Sequence, residues 1–173
     1  YEHNNTRRYT ELLASGNARA SIAVTPLHES EGIITPNGLF FSRSHGGTAH
    51  IDPNEFRFMI NGLVEKPIVL TLDEIKKYPR VTRTHFIECP ANGGQEWRNT
   101  QYNSLQFAKG FMSCAEWTGV YIKTILEDLG LKPEAQWMLA EGSDNSEMGR
   151  SVPIDKVLDD AMLVWGQNGE ALR

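Results

Sequence analysis

The chain has 173 residues, 40% hydrophobic and 23% charged, which suits one domain with a sizeable core. A net charge of −5 leaves no basic face for a polyphosphate, so nucleic acid is excluded as a partner class. No apolar stretch reaches the roughly 18 residues of a membrane span, and the two cysteines, Cys89 and Cys114, lack CxxC spacing and are too few for a disulfide framework, which leaves a single Cys89–Cys114 bridge as an open alternative.

Residues 1–24 are polar and weakly periodic, which predicts a mostly irregular arm with one helical turn. The first residue is Tyr1 rather than Met, which leaves a removed export signal open. Thr25–Gly47 carries two prolines and four glycines, with turn signals at Pro36-Asn37-Gly38 and Gly46-Gly47, and reads as loop. In EFRFMINGLV, Phe56, Phe58 and Ile60 alternate with Arg57, Met59 and Asn61, the pattern of a half-buried strand. TLDEIKKYP pairs Thr71 with Glu74 as a capping box and stops before Pro79, a short helix. RTHFIEC is a second strand that ends on Cys89. GVYIKTILEDLG places Val120, Thr124, Ile125 and Leu129 along one helical face, with Gly130 as its C-cap. QWMLAEG is a third strand, and SVPIDKVLDD a helix with Ser151 near its start and Pro153 in its first turn. AMLVWGQNGEALR is an apolar strand followed by the Asn168-Gly169 hairpin signal, after which only four residues remain. That spacing predicts a fold cut short at Arg173, or completed by another chain. The class is α+β, mixed sheets with short helices and unusually long glycine-rich loops, which in compact domains tend to carry function.

The chemistry-bearing residues fall in four places. Cys89 supports three readings: a buried core cysteine, a nucleophile, or one soft ligand to a metal whose other ligands come from a cofactor. In FFSRSHGG, Arg43 and His45 lie on one side of an extended segment, where a guanidinium suits an oxyanion or phosphate, or simply solvent. In GGQEWRN, Trp97 either walls a pocket or packs in the core, and Arg98 supplies a second cation close behind the thiol. Asp144 and Ser151 flank a predicted helix start, and either hold an anion or heterocycle there or act as turn and capping residues.

Taken together, SRSHGG, HFIECPANGGQEWR, EWTGVYIKTILEDLG, EGSDN…RSVP and QNGEALR, in that order, resemble the sulfite oxidase family of molybdenum enzymes. The likeness is greatest to the branch of bacterial sulfane dehydrogenase molybdenum subunits, and it runs from Thr25 to Arg173. The resemblance implies the molybdopterin-binding fold of that family, with residues 1–24 as an arm and 25–173 as the first part of the oxidoreductase domain. It implies a Mo-molybdopterin cofactor, in which Cys89 ligates the metal beside one pyranopterin dithiolene and oxo ligands. Phe41, Ser42, Arg43, Ser44 and His45 would lie along the cofactor, and Asp144 and the Ser151–Pro153 loop would meet the pterin. Trp97 would line the substrate pocket and Arg43 would face the oxyanion.

The implied reaction transfers an oxo group to the substrate sulfur and passes two electrons, one at a time, to the haem of a c-type cytochrome subunit. Sulfite oxidases proper carry arginines where this chain has Asn92, Gly93 and Gly94, so the substrate cation is absent or is Arg98. That departure favours carrier-bound sulfane sulfur, on a sulfur-carrier protein, over sulfite. Export to the periplasm and a homo-oligomeric full-length form are also implied, with further pterin contacts and an immunoglobulin-like dimerisation domain expected beyond Arg173. The alternatives are a sulfite dehydrogenase proper, a reductase of the same fold, or a cofactor-free fragment or interaction domain in which Cys89 is structural.

Overall fold

The computed structural model describes residues 10–11, 21–46, 51–97, 108–142 and 146–172. Its strands are β1 (Thr10–Glu11), β2 (Ser21–Ala23), β3 (Ser42–Ser44), β4 (Arg57–Ile60), β5 (Ile68–Thr71), β6 (Val81–Glu88), β7 (Met112–Tyr121), β8 (Trp137–Glu141), β9 (Gly149–Pro153), β10 (Met162–Gln167) and β11 (Glu170–Ala171). Among the described residues the α-helices with defined bounds are α1 (Leu72–Ile75), α2 (Gly94–Trp97), α3 (Ile122–Leu129) and α4 (Ile154–Asp160). The sheets run β1-β2-β3, β11-β10-β7-β6, β4-β5 and β8-β9, so the expected mixed α+β class holds.

Two compact units share the chain, which passes from one to the other four times: between residues 48 and 49 and inside β6, β7 and β10. One comprises residues 49–82 and 118–166. Its core gathers Val64, Leu70, Ile75, Val120, Ile125, Leu126, Leu129 and Val157, each worth about 1.5–3 kcal/mol on burial. Phe56, Phe58 and Ile60 pack against it, the face that alternation in the sequence selects. β4 and β5 form an antiparallel pair, Arg57 opposite Thr71 and Ile60 opposite Ile68. The capping box at α1 is present: Glu74 Oε2 accepts from the Thr71 N–H at 2.8 Å, and Thr71 Oγ1 accepts from the Glu74 N–H at 3.2 Å. The Thr71 N–H and the Thr71 hydroxyl, both donating to Glu74 Oε2, hold the Glu74 carboxyl below the usual carboxylate range. Gly130 ends α3 at φ +71, a left-handed cap that suits glycine.

The second unit comprises residues 1–48, 83–117 and 167–173. β2 pairs with β3 antiparallel, Ile22 opposite Arg43, and buries Ile22 and Val24 with Phe111. Thus Ser21–Ala23 is strand where the sequence predicts irregular chain; the expected helical turn lies outside the described residues. Thr25 and Ser113, both buried, share a hydroxyl–hydroxyl hydrogen bond at 2.5 Å. The Phe41 N–H also donates to Ser113 Oγ, at 3.1 Å. Thr35 and Cys114 exchange two more bonds: the Thr35 N–H donates to the Cys114 carbonyl at 2.8 Å, and the Cys114 N–H donates to Thr35 Oγ1 at 3.2 Å. The loop from Thr25 to Phe41 is therefore fastened along β7.

The Asn-Gly hairpin forms, with Asn168 at φ +51 and Gly169 at φ +78, and joins β10 to a two-residue β11. Asn168 does more than turn the chain. Its Nδ2 donates to the Thr35 carbonyl at 3.0 Å and to Asn37 Oδ1 at 2.8 Å, and its Oδ1 accepts from the Glu116 N–H at 2.9 Å. Replacing Asn168 with alanine should therefore cost about 2–3 kcal/mol, from partners left unmatched and from a left-handed backbone that alanine resists. Denaturant unfolding of Asn168→Ala beside Asn168→Gly checks this: glycine should recover only the backbone part, about 1 kcal/mol.

Two helices start later than expected. Gly119–Tyr121 belong to β7, not to a helix, because the strand continues inward through Val120 before α3 begins. Ser151 and Pro153 lie in β9, with Pro153 at the N-cap of α4 rather than in its first turn. Proline at that position ends the strand, since it offers no further ladder donor.

Candidate active site

Cys89 follows directly after β6. Its N–H donates to the Phe111 carbonyl at 2.9 Å, and its carbonyl accepts from the Asn92 N–H at 2.8 Å. The side chain is partly buried and packs, with Phe41, against Ile22, Val24 and Phe111. Phe41 meets Phe111 edge-on at 6.1 Å and stacks on Phe40, which in turn meets the buried Trp117 edge-on. Both Cys89 and Cys114 are free thiols, so no disulfide consumes the sulfur.

The chain after Cys89 is a tight loop. The Gly94 N–H returns to the Ala91 carbonyl at 3.1 Å, and the Gly93 N–H donates to the Ala108 carbonyl at 2.8 Å. Gly93 sits at φ +71, where a Cβ would come within 2.9 Å of Lys109 Nζ. Lys109 crosses there to pair with Glu96 at 3.0 Å. A left-handed backbone under a salt bridge makes glycine the residue that fits.

Arg43, in β3, is partly buried and donates from Nη1 to the Ser44 carbonyl at 2.7 Å. Ser42, Ser44 and the exposed His45 continue the same segment. Phe41 to His45 and Cys89 therefore belong to one unit, held through Ser113 and the small apolar cluster. Trp97 closes α2 with 91% of its surface exposed, so it is not a core residue. Ser151 is exposed and belongs to the other unit. Arg98 and Asp144 lie outside the described residues.

Several residues that shape this site carry no obvious chemical signal in the sequence. They are Ser113, Thr25, Phe111 and Trp117, whose Nε1 donates to the His85 carbonyl at 2.9 Å. The signal that could find them is the alternation Ser113, Ala115, Trp117 in MSCAEWTGVY, muted because two of the three inward residues are small.

The oxidoreductase molybdopterin binding domain matches residues 45–173. This chain belongs to that family. Among solved structures, the sulfane dehydrogenase SoxCD from Paracoccus pantotrophus superposes with a TM-score of 0.90 at 46% identity, over 96% of this chain and 43% of that one. The NADH nitrate reductase of Ulva prolifera is 32% identical over 158 residues, which is 82% of this chain and 18% of the relative. Mitochondrial sulfite oxidase of Drosophila melanogaster is 32% identical over 152 residues, 83% of this chain and 26% of the relative. This molybdopterin binding domain thus spans about a fifth to a quarter of those two curated relatives. Among the described residues no helix is long and apolar enough to cross a membrane.

The residues present fit the cofactor that the family's description names. Cys89 offers one soft sulfur, which suits molybdenum. The side chains packed around it, Ile22, Val24, Phe41 and Phe111, carry no donor groups. A metal held there by one thiolate would bring its remaining ligands with the cofactor.

Proposed function

We propose that the chain is the part of a molybdenum oxidoreductase that holds the metal through Cys89 and acts on a reduced sulfur group. The observation that carries this is the placement of Cys89: a free thiol at a strand end, its backbone N–H and carbonyl both engaged, in the unit that also holds Phe41 to His45. When bound, Mo-molybdopterin supplies the oxygen-atom transfer and accepts the two electrons. The chain's own groups fix the thiol. On the sequence resemblance, Arg43 would face the anionic part of the substrate, Phe41, Ser42, Ser44, His45, Asp144 and Ser151 would contact the cofactor, and Trp97 and Arg98 would border the substrate.

Identity of 46% with a sulfane dehydrogenase favours carrier-bound sulfane sulfur as substrate, with sulfite second. On the sequence resemblance, the electrons pass to the haem of a c-type cytochrome subunit, and the full-length protein is periplasmic and homo-oligomeric. Residues 25–173 form the first part of the oxidoreductase domain, with 1–24 as its arm. The nitrate reductase and sulfite oxidase relatives support a second reading, a sulfite dehydrogenase or a same-fold reductase. The deciding experiment measures molybdenum and released pterin per polypeptide in the native, full-length protein. About one of each is expected; neither would leave Cys89 structural and the chain a cofactor-free domain. A substrate panel of persulfidated carrier, sulfite and nitrate then separates the two enzyme readings.

Arg43 gives a sharper test of substrate charge. Arg43→Gln should raise KM for an anionic substrate about tenfold or more while kcat changes little, the loss of one charge-assisted contact. Steady-state kinetics with an unchanged KM would remove Arg43 from the substrate.

A further inference from the structure

We infer that Asn92 is the positioning residue that aims the Cys89 thiol. The inference rests on the reading of Cys89 as the metal's protein ligand. Where β6 gives way to loop, the Cys89 N–H still bonds the Phe111 carbonyl at 2.9 Å, but the Cys89 carbonyl has turned to accept from the Asn92 N–H at 2.8 Å. In a continued antiparallel ladder, the Phe111 N–H would donate to that carbonyl. Instead it donates to Asn92 Oδ1, at 3.3 Å. The asparagine side chain thus stands in for a backbone acceptor. It lets the chain leave the strand at Cys89 without breaking its tie to the segment that enters β7.

The other end of the amide completes the clamp. Asn92 Nδ2 donates to Glu88 Oε1 at 2.7 Å. One side chain therefore joins the residue before Cys89 to the strand partner opposite it, while its own N–H holds the Cys89 carbonyl. Asn92 thus holds the carbonyl side of Cys89 directly, and holds its N–H side through Phe111, whose carbonyl accepts from Cys89 and whose own N–H donates to Asn92. Groups that orient a metal ligand change metal affinity or activity by about 10–100-fold when removed. An amide is needed, because the clamp uses one donor and one acceptor from a single planar group.

The test uses the full-length protein purified with its cofactor. Three forms are compared: Asn92→Ala, Asn92→Asp, and Asn92→Asp combined with Glu88→Gln. The double variant exchanges donor and acceptor between the two positions. An amide introduced at position 88 would donate to a carboxylate introduced at position 92, and the clamp would be restored. Measured together are molybdenum per chain, the sulfur-to-metal charge-transfer absorption per molybdenum, melting temperature, and the alkylation rate of Cys89 after the cofactor is removed.

Asn92→Ala and Asn92→Asp should lose about tenfold in molybdenum retention, shift or weaken the absorption of what remains, and speed alkylation severalfold. The double variant should recover all three. A residue serving stability alone would lower the melting temperature and leave the absorption per molybdenum as in the parent. That result, or single variants equal to the parent in retention and alkylation, overturns the inference while the metal reading stands. A parent protein without molybdenum sinks the metal reading, and the inference with it. If Asn92→Ala does not fold, Asn92→Asp against the double variant carries the same comparison.

Discussion

Serine in place of Cys89 should abolish turnover and strip most of the molybdenum from the full-length protein, by at least about 100-fold in retained activity. A hydroxyl is the smaller group and leaves the cluster of Ile22, Val24 and Phe111 itself unchanged. What it lacks is a soft, readily ionised sulfur. Orienting groups around a metal already matter by about 10–100-fold, and the ligand itself should matter more. Cys114 is the internal control. It is the other free thiol of the same unit, with its backbone tied to Thr35 rather than to the Cys89 loop. Cys114→Ser should keep molybdenum and activity near the parent values. Metal analysis and turnover on both variants decide the point, and a fully active Cys89→Ser would end the assignment.

Alanine at Gly119 is the largest stability effect expected of a single methyl group. An added Cβ would overlap the Leu163 carbonyl oxygen and stand 2.8 Å from Val164 Cα and 2.9 Å from the Leu163 carbonyl carbon. All three contacts are backbone of β10, so no side chain can swing away to relieve them. The two central strands of the sheet would have to separate. Overpacking of this kind costs typically 1–3 kcal/mol, and rigid contacts place Gly119→Ala at about 3 kcal/mol or above. For a chain of this length that is a fall in Tm of about 6–12 °C. Gly94→Ala is the matched control: nothing lies within 4 Å of its added Cβ, and it sits in α2. Thermal unfolding of the pair should show a clear fall at 119 and almost none at 94.

The parts of the fold and site that can be read from the sequence are those encoded locally. The α1 capping box needs only Thr71 and Glu74 three residues apart. The Gly130 cap and the Asn168-Gly169 turn are likewise set by which residues tolerate positive φ. Cys89 and the Phe41–His45 segment stand out because their side-chain chemistry is unusual in any loop. What stays hidden depends on partners far along the chain. The end of β7 reads as helix because Ser113 and Ala115, though buried, carry little hydrophobic signal that would mark the strand. β5 leaves no mark because four residues offer too short a period. Asn92 registers only as the absence of an arginine; its bonds to Glu88 and Phe111 exist only once β6 and the segment entering β7 have met.

The knot at Asn168 also has a timetable. Thr35 and Asn168 are 133 residues apart, so the bond between them waits for all of that chain to be made. At about 5–20 residues per second, that interval is roughly 7–27 s of synthesis. Every residue of the unit formed by 49–82 and 118–166 precedes Gln167, so that unit can close first. The cysteine-bearing unit is discontinuous and receives its 167–173 piece only afterwards. Cys89 is thus translated early, and the unit that carries it is completed late. A nascent chain would carry its thiol for several seconds in an unfinished unit, open to oxidants and to any factor that delivers a metal.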